Sequence, residues 1–213
     1  MYHLAKYPAW ADAARAEVLR VVGPSRATTY DDLAELPTVA AVLHESMRLM
    51  PPVATTIRMA VRDVVLRRKP PTAPSQNSDS RDATAAAPDA ATLTELHVKA
   101  GTTVSIGLSH VQRDPALWGE QAHCFDPQRF MGGVAAALRH PMAYMPFTAG
   151  PRACIGQHFA LIEARVILAT VLQRAEWALA PSYKHCALGN VTLTPRHGMP
   201  MRVWRRGEPA PAH

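Results

Sequence analysis

A mainly α-helical domain with small β-sheets, an α+β class, is what this sequence predicts. Three observations carry that expectation. Apolar residues recur at helical spacing in three stretches, 8–22, 38–50 and 156–175. Short β-prone segments lie at 55–66, 101–108 and 191–204, bounded by turn formers. Finally, 48% of the 213 residues are apolar, which permits a sizeable buried core and rules out a wholly disordered chain.

The first helix places Trp10, Ala14, Val18 and Val21/Val22 on one face. Pro8 suits its first turn, and Gly23-Pro24 stops it. A polar link from Ser25 to Asp32 follows, and Leu36-Pro37-Thr38 opens the second helix. Its apolar stripe is Val39, Val42, Leu43, Met47 and Met50. Pro51-Pro52 ends it, because the proline ring clashes with a continuing helix. Residues 55–66 read as one or two strands and 101–108 as another. Between them, 69–91 holds Pro, Ser, Asp, Ala and Thr with almost no large apolar side chain. Such a segment cannot bury enough surface to offset its ordering entropy, so it is expected to be a disordered insertion within the domain. Residues 113–139 have broken periodicity and predict ordered coil with short helical turns. The third helix is expected to bury Phe159, Ile162, Val166, Ile167 and Ala169/Thr170. The pieces around Pro195 and Gly198-Met-Pro200 predict a terminal hairpin. No internal repeat is present.

The formal charge is +6. The longest basic run is only Arg67-Arg68-Lys69, so neither nucleic acid nor anionic lipid is indicated as a partner. No uncharged apolar run reaches the roughly 18 residues a membrane span requires. The Met1 end carries no basic-then-apolar signal pattern. Cys124, Cys154 and Cys186 are odd in number and form no C-x-x-C pair, so neither a disulfide framework nor a zinc ribbon is indicated. Cysteine chemistry here rests on a single thiol.

The most informative stretch is Phe147-Thr-Ala-Gly-Pro-Arg-Ala-Cys154-Ile-Gly156. It is a Gly/Pro-bent loop with one cysteine immediately before a helix. The first helical turn offers unpaired N–H groups and the positive dipole end, and Arg152 adds a cation. Both favour thiolate, the form that attacks electrophiles and binds metals. Gly150 and Gly156 remove side chains on either side, so something flat and bulky can approach. A lone cysteine would ordinarily be an inert core thiol; this spacing points elsewhere.

Here the sequence resembles the cytochrome P-450 family, the haem-thiolate monooxygenases. Their F-x-x-G-x-R-x-C-x-G signature is matched at Phe147, Gly150, Arg152, Cys154 and Gly156. The resemblance implies haem b (iron protoporphyrin IX) as cofactor and Cys154 as the axial iron ligand. It also implies Arg152 paired with a haem propionate and Phe147 packed beside the sulfur. Glu45-Ser-Met-Arg48 matches the family's E-x-x-R, and residues three apart share a helix face. The flanking Leu36-Pro37 and Leu49-Met50-Pro51-Pro52 match as well. Phe125-Asp-Pro-Gln-Arg129-Phe130 resembles F-x-P-E-R-F, with Gln128 in place of the acid. By resemblance, Glu45, Arg48 and Arg129 form a network that braces the thiolate loop. They are structural, and no catalytic side chain is assigned in this chain.

Further likenesses are less specific. Arg58 sits where the family often has a second propionate-binding arginine. Arg113-Asp-Pro115 and Trp118-Gly119 resemble R-D-P…W-G, with Gln112 where a His is common. Residues 53–57 and 194–199 align with substrate-pocket segments, and their small, apolar character suits an apolar substrate.

The resemblance covers about residues 4–204, interrupted at 69–91, and corresponds to the C-terminal part of the family's domain. The N-terminal helices, the oxygen-activating helix with its acid followed by Thr, and the membrane anchor of eukaryotic members would all precede Met1. Residues 1–213 are therefore expected to be a partial haem domain. The implied function is O₂-dependent oxidation of a small organic, apolar substrate, with electrons from a reductase or ferredoxin. The basic balance suits an acidic electron donor. The compartment is left open between the endoplasmic reticulum and an organelle.

Two alternatives stand beside it. One is a truncated, non-catalytic haem-binding remnant of the same family. The other is a thiol enzyme using Cys154 as nucleophile, which needs a base. His158 is the near candidate in sequence, but no orienting group is evident. A Cys154–His158 metal pair is conceivable, yet a structural zinc site takes four ligands.

Overall fold

Pro8 takes the first position of helix α2 (Pro8–Val21), where its missing N–H costs nothing, and a short α1 (Tyr2–Lys6) precedes it. Gly23 ends α2 at φ +83°, a conformation that favours glycine. Pro37 opens α3 (Pro37–Leu49) in the same way, after a 3₁₀ turn at Asp31–Glu35. Met50 is pushed out of the helical region by Pro51 behind it.

The computed structural model describes residues 1–67, 95–189 and 192–211. They fall into two compact units, Met1–Thr56 with Gly107–His213, and Ile57–Ile106. The expected insertion at 69–91 lies outside the described residues.

Strand β1 (Thr55–Met59) pairs with β4 (Thr103–Gly107), and within the second unit β2 (Val64–Arg67) pairs antiparallel with β3 (Glu95–Val98), Val64 facing Val98. The strand β3 had no sequence expectation. Lys99 Nζ, just after β3, donates to Asp63, just before β2, at 2.8 Å.

In the first unit, a short helix α4 (Leu108–Val111) is followed by a coil that α5 (Pro115–Trp118) and α6 (Val134–Ala137) break up, as the lost periodicity of 113–139 predicts. A long helix, α7 (Gln157–Arg174), follows. Strand β5 (Ala175–Leu179) pairs antiparallel with β8 (Met201–Arg205), and β6 (Ala187–Gly189) with β7 (Leu193–Pro195). The main core gathers Ala14, Val18, Leu36, Val39, Val42, Leu172 and Trp177, where α2, α3 and α7 meet. A second cluster, Ala41, Trp118, Ala122, Phe130 and Ala143, packs on another side of α3. Helix α3 is thus buried nearly all round. Among the described residues, no helix is long and apolar enough to cross a membrane.

Two expectations are corrected. The buried face of α7 is Ala169, Leu172 and Gln173, whereas Phe159, Ile162 and Ile167 are exposed. The helix is apolar on several faces, so periodicity alone does not choose between them. The terminal hairpin also differs: the last strand returns to β5, and β7 turns back onto β6.

Candidate functional site

The site is built outward from α3. Glu45 and Arg48 lie one turn apart, and neither has any exposed surface. Arg48 Nε donates to Glu45 Oε2 at 2.6 Å, and Nη2 donates to Oε1 at 2.7 Å. The other guanidinium hydrogens reach main-chain carbonyls: Nη1 to Gln112 (2.8 Å) and Ala122 (2.6 Å), Nη2 to Cys124 (3.0 Å). All five N–H donors of Arg48 therefore have acceptors. The Trp118 ring lies 4.9 Å from the guanidinium carbon, a cation–π contact. Glu45 Oε1 also accepts the Asp126 amide at 2.9 Å.

Arg129 is the outer member of this group. Its Nε is 3.7 Å from Glu45 Oε1, an ionic distance without a hydrogen bond. Its Nη groups donate to the carbonyls of Trp118 (3.1 Å) and Gln121 (2.9 Å). The ion pair therefore ties α3 to the whole 112–129 stretch. The carbonyl acceptors carry no sequence signature. The buried Gln112, adjacent to the R-D-P element, is the partner a polar residue between Val111 and Arg113 could have signalled.

The cysteine loop hangs on this frame. The Met145 amide donates to Gln112 Oε1 at 2.8 Å, Pro146 is buried and Phe147 is half-buried. Thr148 adopts φ +61°, which costs a β-branched residue on the order of 1–3 kcal/mol. Its hydroxyl donates to the Arg152 carbonyl at 3.0 Å, which closes the loop locally. Gly150 stands at φ +75° with open space around it. Gly156 has an ordinary φ; a Cβ there would sit 3.8 Å from Cys154 Sγ. The Cys154 amide donates to the Phe147 carbonyl at 3.0 Å.

Cys154 is exposed at the head of α7, next to exposed Ile155 and Phe159, with exposed Arg152 on the same loop. A soft sulfur donor beside uncovered apolar side chains and one cation fits a flat, apolar, anionic iron chelate. The loop also borders a cavity of about 320 Å³ lined in part by His44, Tyr144, Phe147 and Gln157. The Tyr144 hydroxyl is 2.9 Å from His44 Nδ1. Burial, then the Arg165 cation, pulls His44 down to about 4, while burial, then the Glu45 carboxylate, pushes Tyr144 above its ordinary value. Both are neutral at physiological pH.

Arg58 lies on β1, and its Nη1 donates to the Ile57 carbonyl at 2.9 Å. His158 is exposed. Cys124 is exposed, Cys186 is half-buried, and neither forms a disulfide. Among the described residues, no three His, Cys, Asp or Glu side chains gather as metal ligands.

Residues 1–69 and 83–197 match the family described as Cytochrome P450. The chain is 36% identical to cytochrome P450 714D1 of Oryza sativa subsp. japonica over 210 residues, covering 96% of this chain and 32% of that protein. It is 35% identical to cytochrome P450 734A1 of Arabidopsis thaliana, covering 95% of this chain and 34% of that one. It is 36% identical to echinocystic acid 23-monooxygenase of Saponaria officinalis, again over 95% and 34%. The chain spans about a third of the length of the curated relatives it matches.

Proposed function

Because the chain belongs to the cytochrome P450 family, we propose that it is the C-terminal, thiolate-bearing part of a haem monooxygenase. The observation that carries this reading is the exposed Cys154 at the head of α7, in a loop with every specified position of the family signature. Haem b, when bound, supplies the iron at which dioxygen is activated so that one oxygen atom enters an organic substrate.

The chain's own residues then have distinct tasks. Cys154, as thiolate, ligates the iron and donates electron density to it. Arg152, on the same loop, would neutralise a propionate. Phe147, whose carbonyl accepts the Cys154 amide, would pack beside the sulfur. Glu45, Arg48 and Arg129 hold the main chain that carries the loop, so the sulfur stays in place. Val53, Ala54, Pro195 and Met199 favour an apolar substrate, with Arg196 and His197 as polar exceptions, in keeping with a relative named for oxidation of echinocystic acid. The +6 charge favours an acidic reductase or ferredoxin, and reduction rates should then fall as salt rises.

The test is spectroscopic. The purified chain is titrated with haem, reduced and exposed to carbon monoxide. The red-shifted Soret band of thiolate ligation is expected, and Cys154→Ser should abolish it. An unchanged spectrum in the serine variant would refute Cys154 as ligand.

A further inference from the structure

We infer that Gln112 is a positioning residue, one that sets the backbone of the cysteine loop against the buried Glu45–Arg48 pair. The functional consequence rests on the reading of Cys154 as iron ligand; the geometry does not. Gln112 has no exposed surface. Its Nε2 donates to the carbonyls of Met47 (3.2 Å) and Arg48 (3.1 Å) at the last turn of α3. Its Oε1 accepts the Met145 amide at 2.8 Å, and its main-chain carbonyl accepts Arg48 Nη1 at 2.8 Å. One amide side chain thus commits both donors to α3 and its oxygen to the segment that enters the loop.

From Met145 the chain passes through buried Pro146, whose φ is locked, to Phe147. The Phe147 carbonyl accepts the Cys154 amide. A displacement at Met145 therefore reaches the residue that bears the sulfur along a short, stiff route. Glutamine suits this position because it presents two donors and an acceptor on one planar group, and a charged residue would lack one or the other.

The first test uses the full chain without haem, by residue-resolved amide hydrogen exchange. Gln112→Met keeps the volume and removes every polar atom. It should raise exchange of the Cys154 amide roughly tenfold while leaving the amides of α2 unchanged. Gln112→His should restore protection, because imidazole donates at one nitrogen and accepts at the other. Gln112→Glu keeps the acceptor for Met145 and loses both donors to α3. It stands in if the methionine variant does not fold, and its Cys154 exchange should lie between the two. Wild-type exchange at Cys154 in a folded methionine or glutamate variant would overturn the inference.

The second test is the carbon monoxide spectrum of each variant with haem. The thiolate-type fraction should fall several-fold in Gln112→Met and recover in Gln112→His. Equal fractions in wild type and Gln112→Met would overturn the positioning role. If wild type itself lacks the thiolate band, the haem reading fails alone, and the exchange result still judges Gln112.

Discussion

Arg48 Nε lies 2.6 Å from Glu45 Oε2 with both side chains wholly out of solvent. Five donors meet five acceptors there, so a lysine, with three donors on one atom, leaves at least two acceptors unmatched. Arg48→Lys should lower stability by about 2–4 kcal/mol, and Glu45→Ala by about 3–5 kcal/mol, because it strands a buried cation. Urea melts read both; a loss under about 0.5 kcal/mol in either would contradict this account.

Glu17 caps a helix 20 residues further along the chain. Its two carboxylate oxygens accept the amides of Thr38 (2.9 Å) and Val39 (3.0 Å), the orphan donors of the first turn of α3. No side chain adjoining the helix start does this work. Glu17→Ala should cost about 2–3 kcal/mol by chemical denaturation, and Glu17→Gln, which has one accepting oxygen, about half of that.

Stability should fall in mild acid. Burial lowers His44 from its ordinary 6.5 to about 4, and burial lowers His3 likewise. Between pH 6.5 and 4 the unfolded chain binds protons at these rings that the folded chain does not, so stability rises with pH across that window. Each histidine contributes up to about 1.4 kcal/mol per pH unit. His44→Gln should flatten the slope by one histidine's share; thermal melts from pH 4 to 7 measure it. An unchanged slope would show that His44 titrates normally.

Thiol alkylation offers a readout independent of turnover. Cys124 and Cys154 are exposed and Cys186 is half-buried, so the first two should react faster in the haem-free chain. Added haem should slow Cys154 at least several-fold and leave Cys124 unaffected. Peptide mass spectrometry follows each site, and equal protection of both would count against specific ligation.

Much of this protein is readable before any coordinates. The helices at 8–21 and 37–49 announce themselves through periodicity bounded by Pro8, Gly23, Pro37 and Pro51, and the one at 157–174 through its apolar recurrence after Gly156. The bend of the cysteine loop before a helix is readable because its glycines, proline and cysteine sit in ten consecutive residues. Both are local: turns, caps and helix faces are decided within a few residues of one another.

Tertiary structure decided the rest. Helix α7 is apolar on several faces, and only its packing on α2 and α3 selects Ala169 and Leu172 over Phe159 and Ile162. Strand β8 is β-prone, but its choice of β5 over β7 joins residues about 25 apart. Glu17 reads as an ordinary surface acid on an amphipathic helix until α3 arrives with unpaired amides. Arg48 announces a partner in Glu45 and nothing of the three carbonyls it also holds. Main-chain acceptors look alike in every residue, so which of them converge on a buried cation is settled only when the chain closes its long loops around it.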